Sequence, residues 1–191
     1  LGGALLASSP AHAADPPRAD VSLELAATHY GEFEETAVGF GARVSYRVLD
    51  WLAVDGGVVF APGDLGEVGF SSSQVEGLFG VRAGPRVGAS HVYAALRSGF
   101  VRFAAAPEPI PCIAIFPPPL PCVLAGGHTA LAVGFGAGGE LPLGGRALVR
   151  LEIGDLLVRY PGPAIANREA VLEESFWRHN LRGTVSVGLR F

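Results

Sequence analysis

Five histidines, two cysteines and 18 carboxylates are the groups that could do chemistry in this 191-residue chain, and their spacing removes most of what they could do. His179 lies four residues after Ser175, with Glu173 and Glu174 beside it, so a Ser/His/Glu set for acyl transfer can be drawn there. A loop of this polarity offers such a set through composition alone. His128 directly precedes Thr129, and neighbours on a strand point to opposite faces, so they cannot act as a dyad. His29 stands beside Tyr30 and the acidic Glu32, Glu34 and Glu35, which reads as a solvated acidic loop. The G-x-G of GFGAGGE has no helix after it, which excludes a phosphate cradle. Cys112 and Cys122 bracket PCIAIFPPPLPC, where only Glu108 and His128 stand at the edges as further metal donors. An even cysteine count in an exported chain reads as one disulfide closing a short loop, worth roughly 3 kcal/mol by the chain-entropy argument. No catalytic residue, metal site or cofactor is expected.

The elements that hold these residues follow from composition and period. Apolar residues make up 49% and charged residues 17%, Gly occurs 27 times, and the net charge is −4. A disordered chain would be less hydrophobic and more charged. A nucleic-acid binder would carry a basic surplus to offset phosphates. No run of about 18 uncharged apolar residues marks a membrane helix. At the front, LGGALLASSPAHA ends in Ala11-His12-Ala13, the A-x-A end of a secretory signal peptide without its basic first part. Residues 1–13 are read as a truncated signal, and 14–191 as one domain.

From Val21 onward the hydrophobic period is two. Arg178, Asn180, Arg182, Thr184, Ser186, Gly188 and Arg190 fall on one face of the last segment, with Leu181, Val185, Val187, Leu189 and Phe191 on the other. Val38, Phe40, Ala42, Val44 and Tyr46 oppose Gly39, Gly41, Arg43, Ser45 and Arg47 in the same way. Eight such segments fall near 20–30, 37–48, 51–61, 74–85, 90–103, 127–140, 145–160 and 178–191. Short turns at 49–50, 86–89 and 141–144 alternate with long loops near 31–36, 62–73, 104–126 and 161–177. That alternation predicts an all-β, eight-stranded antiparallel up-and-down transmembrane β-barrel with its long loops outside. Strands of about 9–11 residues suffice to cross, and closure leaves no unpaired edge.

The chain resembles the small eight-stranded outer-membrane barrels of Gram-negative bacteria, such as the membrane domain of outer membrane protein A. The resemblance is carried most sharply by LRGTVSVGLRF with its terminal Phe191, and also by RSGFVRF (97–103) and LEIGDLLVRY (151–160). It implies a Gram-negative outer-membrane location, and that the last strand and Phe191 are the signal read by the barrel-assembly machinery. Lipid and lipopolysaccharide are the partners it implies; nucleic acid is not one, and a monomer is expected.

The alternative is a soluble lipocalin-like barrel binding an apolar small molecule, with the faces reversed. Its surface should carry about 25–35% charged residues, and the uniform apolar faces here would instead expose a belt of far more than a few hundred Å2. The membrane barrel is therefore preferred, and its lumen receives Glu24, Arg43, Asp55, Arg82, Arg150 and Glu152 at similar heights, with Arg97 and Arg182 slightly above. Opposite charges across so narrow a lumen should pair and plug it; the same set left open would be a narrow channel. No His, Ser and Asp are expected there at matching heights. Tyr46 and Trp51 at one end, and Phe100, Phe103, Tyr160, Phe176 and Trp177 at the other, are expected as aromatic girdles. Function should then lie in envelope integrity or in the loops. The loop 104–126, with Ile110, Ile113, Ile115, Phe116, Leu120 and Val123, could present a surface ligand site. A small-molecule site in the mouth would need open space near Glu76, Ala130 and Thr184.

Overall fold

The computed structural model describes residues 18–63, 73–105, 120, 124, 127–161, 164–166, 169–171 and 175–191. Residues 1–13, read above as a signal, and the Cys112/Cys122 pair lie outside the described residues. The period-two segments become β1 (Ala19–Tyr30), β2 (Glu35–Leu49), β3 (Leu52–Ala61), β4 (Gln74–Ala83), the two-residue β5 (Arg86–Val87), β6 (Ser90–Phe103), β7 (His128–Gly144) and β8 (Ala147–Pro161). They continue as β9 (Ala164–Ala166), β10 (Glu169–Val171), β11 (Ser175–Arg178) and β12 (Asn180–Arg190). Each long strand pairs antiparallel with its sequence neighbour, and β12 pairs with both β8 and β1. The ring therefore closes as an eight-stranded antiparallel barrel, with Ala19 and Phe191 exchanging backbone hydrogen bonds of 3.2 and 2.8 Å where its two ends meet.

The elements differ in detail from the sequence expectation. β7 runs through Gly144, so its turn falls at Gly145-Arg146; Gly144 (φ 103°) and Gly145 (φ 55°) take left-handed conformations that favour glycine. Turn 86–89 contains β5, which pairs with the start of β6. The segment 161–177 holds the small β9–β10 hairpin and then β11, which extends the last wall strand against β8.

The two faces have opposite polarity. Outward-pointing residues are apolar and exposed, as in Leu23 (74%), Phe79 (65%) and Ile153 (62%), whereas the inward set includes Arg82, Arg150, Asp55 and Glu140, each at 2% or less. A soluble lipocalin-like barrel has the reverse arrangement, and that reading is overturned. The belt of exposed valine, leucine, isoleucine and phenylalanine girdles the barrel, far beyond a scattered surface set.

The strand glycines make room for long interior side chains. Gly80 sits in register between Asp55 of β3 and Arg97 of β6, and a Cβ added there would lie 2.0 Å from the Leu96 carbonyl oxygen. Gly138 lies between Tyr93 and Glu152, and its Cβ would lie 2.7 Å from the Tyr93 hydroxyl. Gly80→Ala should thus force the β4–β6 backbone apart and destabilise the barrel by about 1–3 kcal/mol, the range for overpacking. Urea unfolding in detergent measures this; an unchanged midpoint would show that the strands are free to separate there.

Candidate functional site

The alternation of each strand aims one polar side chain after another into a lumen too narrow to keep them apart. Arg97 of β6 reaches across Gly80 to grip Asp55 with two parallel bonds, Nε to Oδ1 and NH2 to Oδ2, both 2.8 Å. The same guanidinium holds Glu152 of β8, through NH1 to Oε1 and NH2 to Oε2 at 2.9 Å. Glu152 also accepts from Arg43 (3.3 Å) and from the Tyr93 hydroxyl (3.1 Å). Arg43 meets Glu24 at 2.6 Å; Glu24 accepts from Arg182 at 3.0 Å, and Arg182 ends on Glu76 at 2.6 Å. The result is a chain of alternating charge running from Asp55 to Glu76.

A second cluster lies toward the short turns. Glu140 accepts from Arg82 (3.0 Å), Arg150 (2.7 Å) and Arg190 (2.7 Å), with Arg47 at 3.7 Å. Asp20 bridges Arg82 and Arg150 at 3.1 and 3.0 Å. Tyr93 connects the two groups, its ring 5.5 Å under the Arg82 guanidinium and its hydroxyl on Glu152. Buried charges are tolerable only when paired and hydrogen-bonded in this way. Among the described residues, hollows of about 20 Å3 lie beside the network near Thr184 and near Glu76, each with room for about one water.

Toward the long loops the interior turns apolar. Tyr30, Leu78, Val101, Phe103, Leu156, Val158, Tyr160 and Phe176 pack with Leu120 and Leu124 from the loop 104–126. The rings meet in sequence: Tyr30–Phe103 at 6.2 Å, Phe103–Tyr160 at 6.1 Å and Tyr160–Phe176 at 5.7 Å between centroids. Such contacts add about 0.5–1.5 kcal/mol each beyond area burial.

All eight residues assigned to the lumen from the sequence, Glu24, Arg43, Asp55, Arg82, Arg97, Arg150, Glu152 and Arg182, point inward and are brought together with opposite charges. Asp20, Glu140 and Tyr93 join the network without having been assigned to it, although each shares parity with an assigned residue on its own or the paired strand, and Glu76, placed at the mouth from the sequence, joins it through Arg182. Three aromatic placements are corrected: Phe103, Tyr160 and Phe176 are interior, not girdle, residues. Parity already tied Phe103 to Arg97 and Tyr160 to Arg150. Tyr46, Trp51, Phe100 and Trp177 are exposed on the outer wall.

Near Glu76, Ala130 and Thr184, where a small-molecule site would need open space, Glu76 is drawn onto Arg182, Ala130 belongs to the apolar cluster, and the hollows between the described residues there are about 20 Å3. Ser22, Ser45, Ser186 and His91 lie inside, Ser45 and Ser186 on the faces of Arg43 and Arg182. Ser22 nevertheless approaches the Arg43 carbonyl oxygen and His91 the Gly84 carbonyl oxygen, so no serine–histidine pair forms among the described residues. Of the loop 104–126, Leu120 and Leu124 face the interior instead of solvent.

Closed topology, outward apolar wall and inward charge together define the fold of the small eight-stranded outer-membrane barrels. Within it the chain is similar to the N-terminal β-barrel domain of Pseudomonas aeruginosa OprF, at 11% identity and a TM-score of 0.51, covering 90% of this chain and 97% of that one. It is likewise similar to Neisserial surface protein A (NspA), at 11% identity and a TM-score of 0.53, covering 91% and 96%. No protein-family model and no curated protein matches the sequence.

Proposed function

We propose that this protein is a Gram-negative outer-membrane barrel with a sealed lumen, serving envelope integrity or surface interaction rather than transport or catalysis. The observation that carries the reading is the inverted polarity: an apolar exterior around an interior of buried ion pairs. Lipid is the solvent that exterior requires, and closure satisfies the backbone groups there. A signal peptide at 1–13 would bring the chain to the envelope. The C-terminal strand ending at Phe191 would be read by the barrel-assembly machinery, and outer-membrane lipid and lipopolysaccharide would surround a monomer. The ionic network and the aromatic layer above it both obstruct the axis, which supports a plug over a narrow channel. The loop 104–126, tied by a Cys112–Cys122 disulfide, would supply any contact with a surface ligand.

Extraction from outer-membrane fractions should yield a species that migrates faster on an SDS gel unboiled than boiled, and that carries no steady current in a planar bilayer. A periplasmic, unshifted protein defeats the membrane reading. Stable single-channel conductance defeats only the sealed lumen.

A further inference from the structure

Three outward side chains stand around Leu181 at the long-loop end of the wall. His29 of β1 pairs with Leu181 of β12, which pairs with Asp155 of β8, so His29 and Asp155 flank it in one row. His179 shares the parity of Leu181 and stands one pleat repeat, about 7 Å, toward the long loops. A Cβ added to Gly31 would lie 3.5 Å from the His179 carbonyl oxygen, so β1 still runs alongside at that level. His179 is therefore diagonal to Asp155 on one side and to His29 on the other. Diagonal neighbours across antiparallel strands lie within reach of long and aromatic side chains, and the contact of His179 with Asp155 uses that reach. All three side chains line one hollow of about 560 Å3, and that of His179 is 75% exposed.

Both imidazoles are held through Nδ1. Asp155 takes His179 Nδ1 on Oδ2, while its Oδ1 accepts from the Asn180 backbone N–H at 2.9 Å, which fixes the carboxylate. Thr36 of β2, in register with His29, has its hydroxyl 3.1 Å from His29 Nδ1. An oxygen that accepts from Nδ1 keeps the proton there and leaves the Nε2 lone pair for a ligand. Metal-binding histidines are oriented from behind in this way. The surrounding charge favours a cation as well. Glu32, Glu34 and Glu35 lie in or beside the adjoining β1–β2 turn, and Asp155 adds a fourth carboxylate. Against them stand Arg178, tied to Glu32 at 2.7 Å, and Arg159, which donates to the Ser175 hydroxyl at 2.8 and 2.9 Å. No three metal donors converge among the described residues, so the chain offers two ligands and water would complete the shell.

We propose that His29 and His179 bind one divalent transition-metal ion of the zinc class through Nε2, with Thr36 and Asp155 as the groups that orient them. Imidazole suits borderline ions such as zinc, copper and nickel, whereas calcium and magnesium take oxygen ligands. A tetrahedral ion held by two side chains keeps its other positions for water or for a donor from outside the chain. The site depends on the strand register and is independent of the sealed lumen.

Isothermal titration calorimetry of the untagged, chelator-treated full chain in detergent tests it, with zinc chloride as the titrant. One zinc ion per chain should bind, and excess calcium should leave it in place. His29→Gln or His179→Gln should each abolish saturable binding. Asp155→Asn should weaken it by about 10–100-fold, the cost of losing the partner behind a metal-bound imidazole. In the native chain, which needs no variant to fold, zinc should shield His29 and His179 from diethyl pyrocarbonate and leave His128 reactive, as read by mass spectrometry of the modified peptides. Absence of saturable zinc binding, zinc retained by the His29→Gln/His179→Gln double variant, or His29 and His179 left reactive under saturating zinc overturns the proposal. Displacement of zinc by excess calcium also overturns it, and assigns the ion to the carboxylates of the acidic turn.

Discussion

Replacing Arg97 by leucine is expected to destabilise the barrel by about 3–5 kcal/mol, the cost of leaving a buried charge without its partner. The side chain is 5% exposed and holds Asp55 and Glu152 at once, so its removal leaves Asp55 with Arg43 at 3.8 Å and the two carboxylates sharing one guanidinium, with the Tyr93 hydroxyl still on Glu152. Leucine cannot replace the five N–H groups of a guanidinium. Adding Asp55→Asn and Glu152→Gln to Arg97→Leu should recover most of the loss, since neutral amides are far cheaper to bury. Urea unfolding in detergent or bilayer reads both steps, and a planar-bilayer recording shows whether the opened centre admits ions. A loss below about 1 kcal/mol would mean that water already screens the pair, as it does at exposed salt bridges, and the sealed lumen would be wrong.

Phe79→Arg should cost about 2–4 kcal/mol, the penalty for a cation on the lipid face near the bilayer midplane. Phe79 is central in β4, between Gly56 of β3 and Ser98 of β6, and its ring is 65% exposed. The same change at a soluble surface would be close to neutral, because arginine is at home in water. Trp177→Arg, at the long-loop rim, should cost no more than about 1 kcal/mol, because the penalty falls steeply toward the interface. Folding titrations into lipid vesicles distinguish these cases. Equal small effects at both positions would remove the bilayer from the explanation.

Much of this architecture is legible along the chain because a strand's side-chain period of two is rigid. Once Arg97 is placed inside, Val101 and Phe103 must follow it, and once Arg150 is inside, so must Glu152 and Tyr160. Setting Phe103 and Tyr160 in a girdle abandoned that rule in favour of the general habit of aromatics at interfaces. Asp20, Glu76 and Glu140 obey parity equally well and were equally accessible. The Ser/His/Glu set drawn around His179 was less so: the partner of His179 is Asp155, 24 residues away on β8 and two positions below it in the paired register.

Local chemistry therefore determined the strands, their turns and which face is apolar, since each depends on neighbours within a few residues. Tertiary structure alone decided the partners. Arg150 meets Asp20 across 130 positions, and Arg182 meets Glu76 across 106, because ring closure between β12 and β1 fixes the stagger of every strand and hence the height of every lumen side chain. It also decided that Leu120 and Leu124 fold back inside, and that His29 and Asp155 flank Leu181 in one row. A slip of two residues in one strand would keep every face and every hydrophobic pattern, yet re-pair all the charges. The sequence pattern is degenerate to that slip; the closed barrel is not.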